Sequence, residues 1–140
     1  MAAEVRLTIT QGISTGKVFV FRERTIGAVG RSDECLLRLP NAFAIQDVSR
    51  RHCLLDIDPP SIRVRDLGSR NGTYVNGEKI GQRERGLPPE LAAASQLPEH
   101  RLGVGDELRV GSIVFRIDIS HDYAAHDTQQ ITAVGGVPVG

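Results

Sequence analysis

The stretch Asp66-Leu67-Gly68-Ser69-Arg70-Asn71-Gly72-Thr73-Tyr74-Val75-Asn76-Gly77 constrains this chain more than any other. Two Asn-Gly pairs lie a few residues apart, and Asn and Gly accept positive φ cheaply, which makes Asn-Gly the strongest short hairpin signal. Between them Thr73-Tyr74-Val75 is strand-forming. Ser69 and Arg70 stand just ahead of the first pair. A tight loop here is expected to present a hydroxyl and a guanidinium at the edge of a sheet, where a rigid scaffold holds binding residues in place.

The rest of the chain reads as short strands with frequent turns. Val5, Leu7 and Ile9 alternate with Arg6, Thr8 and Thr10, the pattern of a half-buried strand. Lys17 to Phe21 follows a glycine-rich turn and completes a hairpin. Thr25 to Val29 and Leu36 to Leu39 read as strands, the latter stopped by Pro40. Cys53 to Asp58 and Ile62 to Asp66 flank Asp58-Pro59-Pro60-Ser61, another hairpin. Glu107 to Val110 and Ile113 to Ile119 close the domain, with Ile113, Phe115, Ile117 and Ile119 on one face. Many short strands at this spacing predict an all-β sandwich or barrel. Within the long connection from Glu78 to Gly103, Pro89 to Leu97 holds good helix formers behind a proline and predicts a short helical insertion. The loop from Asn41 to Asp47 carries Phe43, Ala44 and Ile45, which are expected to pack. The stretch from Ser120 to Gly140 is poor in large apolar residues and predicts a flexible tail or linker, with a longer protein continuing beyond it.

Two further runs share the character of the first loop. Gly30-Arg31-Ser32 ends one apolar run, and Ser49-Arg50-Arg51-His52 precedes another. Gathered together, the three would form a site for a doubly charged anion, because Arg offers fixed donors whose bonds to phosphate are charge-assisted and often paired.

Gly30-Arg31, then Ser49-Arg50-Arg51-His52, then Asn71-Gly72, with Asp66-Leu67-Gly68-Ser69 leading in, resembles a forkhead-associated (FHA) domain over residues 4–119. The family is an antiparallel β-sandwich that reads phosphothreonine peptides with loops at one end. The resemblance implies that Arg31 holds phosphate oxygens and that the Ser49 hydroxyl donates to another. It places Arg50 beside the phosphate or nearby peptide. Asn71 would bond the ligand's main chain, and Arg70 stands where the family often has Ser or Thr touching the ligand. Gly30, His52 and Gly72 are implied as structural support, with His52 holding Ser49 in place. Arg51 receives no role. A phosphorylated protein partner and a Ser/Thr kinase follow from the same resemblance. The alternative is an FHA-like interaction domain that binds without phosphate.

Composition bounds the remaining possibilities. Seventeen Lys and Arg balance 17 Asp and Glu in 140 residues, and no long basic run exists, which argues against nonspecific nucleic-acid binding. No stretch is long and apolar enough to span a bilayer. The start has no apolar core of a signal peptide, and Cys35 and Cys53 read as buried free thiols, so a cytoplasmic setting is expected. No cofactor is implied. Asp47, Ser49 and His52 are the residue types of a hydrolase triad, but neighbours in sequence rarely meet its geometry, so the chain is read as a binding module and not an enzyme. His121 and His126 are too irregularly spaced to suggest a metal site. A sugar-binding sandwich would want exposed aromatic rings, and this chain has no Trp. In the tail Thr128 stands three residues before Ile131, so phosphorylated Thr128 is a candidate for self-association.

Overall fold

The computed structural model describes residues 3–39, 47–83, 98–121, 133–134 and 137–138. Every regular element among them is a strand. The order is β1 (Ala3–Gln11), β2 (Val18–Phe21), β3 (Thr25–Gly30), β4 (Leu37–Arg38), β5 (Cys53–Asp58), β6 (Ser61–Asp66), β7 (Thr73–Val75), β8 (Glu78–Gly81), β9 (His100–Arg101), β10 (Glu107–Val110), β11 (Ile113–His121), β12 (Ala133–Val134) and β13 (Val137–Pro138). The helix expected over Pro89–Leu97, the apolar loop residues Phe43 to Ile45 and Thr128 lie outside the described residues.

The strands form two sheets, one ordered β13-β12-β2-β1-β11-β10-β7-β8 and the other β4-β3-β5-β6-β9. Neighbours are antiparallel except β3–β4 and β12–β2. Within the stretch expected as tail, β12 lies beside β2 with Val134 opposite Val20. The alternation read from sequence sets which faces meet. Val5, Leu7 and Ile9 of β1 and Ile113, Phe115 and Ile117 of β11 are buried, while Arg116 is exposed. From the other sheet Val29, Leu55, Ile57, Ile62 and Val64 join the same core. Each such side chain, fully buried, contributes about 1.5–3 kcal/mol.

The Asn-Gly pairs behave differently from each other. Asn76 and Gly77 both take positive φ, 52° and 83°, and Val75 faces Glu78 directly across a two-residue hairpin. At the first pair only Gly72 has positive φ, at 93°. Asn71-Gly72 is therefore no hairpin turn. It lies in the β6–β7 connection, which crosses from one sheet to the other.

Register brings several connections to one end of the sandwich. Val29 pairs with Cys53, Cys53 with Asp66, Thr73 with Gly81, and Thr73 with Val110. The end of β3, the start of β5, the β6–β7 loop, the end of β8 and the β10–β11 turn thus share that end.

Candidate functional site

Gly30 is where the site begins. A Cβ there would sit 2.1 Å from the Arg50 carbonyl oxygen and 2.9 Å from that of Ser49. Only glycine lets the end of β3 lie against the Ser49–Arg50 backbone. The contact is closed by hydrogen bonds. Arg31 N–H donates to Ser49 O at 3.3 Å, Ser32 N–H to Arg50 O at 2.9 Å, and His52 N–H to Val29 O at 2.8 Å.

The β6–β7 loop is built on Asp66, a buried carboxylate. It accepts from Gly68 N–H at 2.8 Å and Ser69 N–H at 2.9 Å, and from the hydroxyls of Ser69 and Thr73. Ser69 Oγ in turn accepts from Gly72 N–H at 2.9 Å. The expectation that Ser69 is presented to a ligand is thus corrected. Its hydroxyl is buried, donating to the Asp66 carboxylate three residues earlier.

His52 joins the two loops. Ser49 N–H donates to Nδ1 at 3.1 Å, and Nε2 lies 2.7 Å from Gly72 O. A backbone amide only donates, so Nδ1 carries the lone pair and Nε2–H donates to the carbonyl: the ring is neutral. Burial pushes the imidazole below the ordinary histidine value, and the bond to Gly72 and the carboxylates of Asp66 and Asp47 act the other way. Both ring nitrogens are thereby taken by backbone groups. The Ser49 hydroxyl instead accepts from Arg70 N–H at 3.0 Å, so the triad arrangement of Asp47, Ser49 and His52 does not form.

The side chains implied by sequence surround one cleft. It encloses about 500 Å³ and is lined by Arg31, Ser49, Arg50, Arg70 and Asn71, with Asp47, Arg51 and Arg83 among its other walls. Arg31 is oriented by Nε–H donation to Val48 O at 2.5 Å. Asn71 Nδ2 donates to Asp47 O at 2.9 Å. Gly30, His52 and Gly72 lie behind these residues as framework. The structure brings together all eight positions singled out in the sequence.

The FHA-domain family profile matches residues 27–89, which contain every one of these positions. Over these residues the chain is similar to an FHA domain. It is 35% identical over 74 residues to FHA domain-containing protein FhaB of Mycobacterium tuberculosis, a match covering 53% of this chain and 44% of that protein. The chain thus spans less than half the length of the curated relatives it matches. Among solved structures it is similar to an FHA domain studied for phosphothreonine-dependent interactions, with 27% identity, TM-score 0.61, and coverage of 86% of this chain and 99% of that one. The FhaA FHA domain in complex with the intracellular domain of Rv3910 matches at 27% identity and TM-score 0.57, covering 81% and 98%. The FHA domain of the CT664 protein from Chlamydia trachomatis shares the fold at 22% identity and TM-score 0.63, covering 86% and 99%.

One arginine of the cleft, Arg83, escaped the sequence reading. Arg83 belongs to no motif. It reaches the cleft because β8 runs back along β7 and Arg83 N–H donates to Ser69 O at 2.8 Å. Extending the Asn76-Gly77 hairpin by a few residues would have placed it there. Arg51, given no role, is exposed yet also lines the cleft.

Proposed function

We propose that residues 4–119 form a phosphothreonine-peptide recognition module that recruits or localises proteins marked by a Ser/Thr kinase. The observation that carries this is the convergence of the Ser49 hydroxyl and the Arg31, Arg50 and Arg70 guanidinium groups on one cleft, beside the Asn71 carboxamide. Arg31 and Ser49 hold phosphate oxygens, Arg50 and Arg70 flank them, and Asn71 bonds the peptide backbone. Phosphothreonine carries close to two negative charges at neutral pH. Charge-assisted hydrogen bonds contribute about 1.5–3 kcal/mol each, and three or four of them, less the cost of ordering a flexible peptide, give about micromolar affinity.

The commitment of both His52 nitrogens to backbone favours a binding role over catalysis, since His52 is then not free to activate Ser49. Cys35 and Cys53 are free and buried, which fits a cytoplasmic setting. Fluorescence anisotropy with phosphothreonine peptides tests the reading. The phosphorylated peptide is expected to bind at least tenfold tighter than its unphosphorylated twin, about 1.4 kcal/mol, with Arg31→Ala abolishing the difference. Equal binding of the two peptides by the unmutated protein would leave a phosphate-independent interaction domain.

A further inference from the structure

We infer that Asn71-Gly72 is a latent self-modification site, where spontaneous deamidation writes a carboxylate into the cleft, and that the Ser69 hydroxyl is the guard that holds it unreacted; the effect on binding rests on the phosphopeptide reading above. The chemistry is intrinsic to Asn followed by Gly. The Gly nitrogen gives up its proton to water and attacks the Asn carboxamide carbon, an approach that the missing Cβ leaves open. An N–Cγ bond forms, the Cγ–Nδ2 bond breaks and ammonia leaves. Water then opens the cyclic imide at either carbonyl, giving aspartate or isoaspartate. Water is the only co-reactant, and nothing is oxidised or reduced.

The chain carries this pair twice, and the structure treats the two differently. Gly72 is buried, and its N–H donates to Ser69 Oγ at 2.9 Å. Ser69 in turn donates its own proton to Asp66 Oδ1. The hydroxyl proton is therefore committed to the carboxylate, and only a lone pair faces Gly72. An amide nitrogen that lost its proton there would face that lone pair with the Asp66 charge behind it, in a buried place, so formation of the nucleophile is suppressed. Both reacting groups are also restrained: Asn71 Nδ2 donates to Asp47 O at 2.9 Å, and His52 Nε2–H pins the Gly72 carbonyl.

Asn76-Gly77 has no such guard. Both residues are exposed, and a Cβ on Gly77 would meet nothing within 4 Å. Asn76 Oδ1 accepts from Glu107 N–H at 2.9 Å and Nδ2 donates to Asp106 Oδ1 at 3.1 Å. These bonds restrain the side chain, but among the described residues no buried acceptor takes the Gly77 N–H. What Ser69 guards is the binding function. A carboxylate at position 71 removes the donor meant for the peptide main chain and sets a negative charge beside the phosphate. Isoaspartate also lengthens the backbone of the β6–β7 loop.

The experiment incubates the whole chain in warm, mildly alkaline buffer, with and without urea, and follows each site by peptide mapping and mass spectrometry. In urea the two pairs are expected to react alike. In native buffer the slowing at Asn71 should exceed that at Asn76 by about tenfold, the weight of one hydrogen bond. Ser69→Ala should raise the native rate at Asn71 about tenfold and leave Asn76 within about twofold. Thr73→Val removes another donor to Asp66 without touching the Gly72 N–H, so it loosens the same loop yet should leave Asn71 within about twofold. Equal slowing at the two sites overturns the inference, and so does equal acceleration of Asn71 by Ser69→Ala and Thr73→Val. Should Ser69→Ala fail to fold, the comparison of native buffer with urea decides alone. Asn71→Asp is expected to bind a phosphothreonine peptide at least about tenfold more weakly than the unmutated chain, and equal binding overturns the effect on binding. If the unmutated chain binds phosphorylated and unphosphorylated peptides alike, the phosphopeptide reading fails, while the guard at Ser69 is still decided by the mass spectra.

Discussion

His52 Nε2–H donates to the Gly72 carbonyl at 2.7 Å, tying the segment that carries Ser49 to the loop that carries Asn71 across twenty residues of sequence. Because the ring is neutral and buried, this bond has a pH signature. The folded-state pKa lies below the ordinary value of about 6.5. Between the folded and unfolded values the unfolded chain binds more protons, so stability rises with pH there. The contribution is complete above about pH 6.5 and is lost as pH falls toward the depressed folded value. Urea unfolding across that range should show a slope in the native protein that His52→Gln lacks.

Gly30→Ala should destabilise the domain by about 3 kcal/mol, the upper range for forcing an extra methyl into a packed site. The obstacle is a carbonyl oxygen at 2.1 Å, part of a backbone and not the end of a flexible side chain. Denaturant midpoints give the stability. Peptide affinity should fall in the fraction that remains folded, since relief requires moving Ser49 and Arg50.

Asp66→Asn turns an amide toward donors that need an acceptor. Two backbone N–H groups and two hydroxyls converge on that carboxylate. Leaving one or more buried donors unpaired costs about 1–3 kcal/mol apiece, so a loss near 3 kcal/mol is expected by urea titration. The β6–β7 loop should also exchange its amide hydrogens faster.

Asn71→Ala is expected to weaken phosphopeptide binding about tenfold with a stability change of less than about 1 kcal/mol. The side chain is exposed and its one described bond, to Asp47 O, is at 2.9 Å on the cleft rim. Anisotropy and thermal unfolding on the same samples separate the two effects.

The thiols should be inert in the native state. Burial pushes Cys53 far above the usual thiol range and raises Cys35 as well, and Cys35 Sγ is 3.1 Å from the Arg50 carbonyl. A thiol-reactive dye at pH 8 should label neither within the time that both react in urea.

Strands that bury one face were legible because burial writes a period of two into the sequence, as in Val5-Leu7-Ile9 and Ile113-Phe115-Ile117. Strands β8 and β9 were not, since Glu78–Gly81 and His100–Arg101 have no buried residue to mark a face. The two Asn-Gly pairs look alike in sequence. Which one turns a hairpin is decided by tertiary bonds, from Ser69 and His52 to Gly72, that no local rule contains. The motif positions Arg31, Ser49 and Asn71 could be expected from sequence to meet, and they line one cleft. Arg83 could not, because its place depends on register and on a backbone bond rather than on residue type.

The bonds that hold the cleft's shape end on main-chain atoms: Val48 O, Ser49 N, Arg50 O, Arg70 N, Gly72 O and Asp47 O. Exposed tips such as Arg50 and Arg51 are absent from that frame. Evolution can therefore exchange the tips to change which partners are preferred while the mouth keeps its form, so two such domains with the same framework can serve different clients.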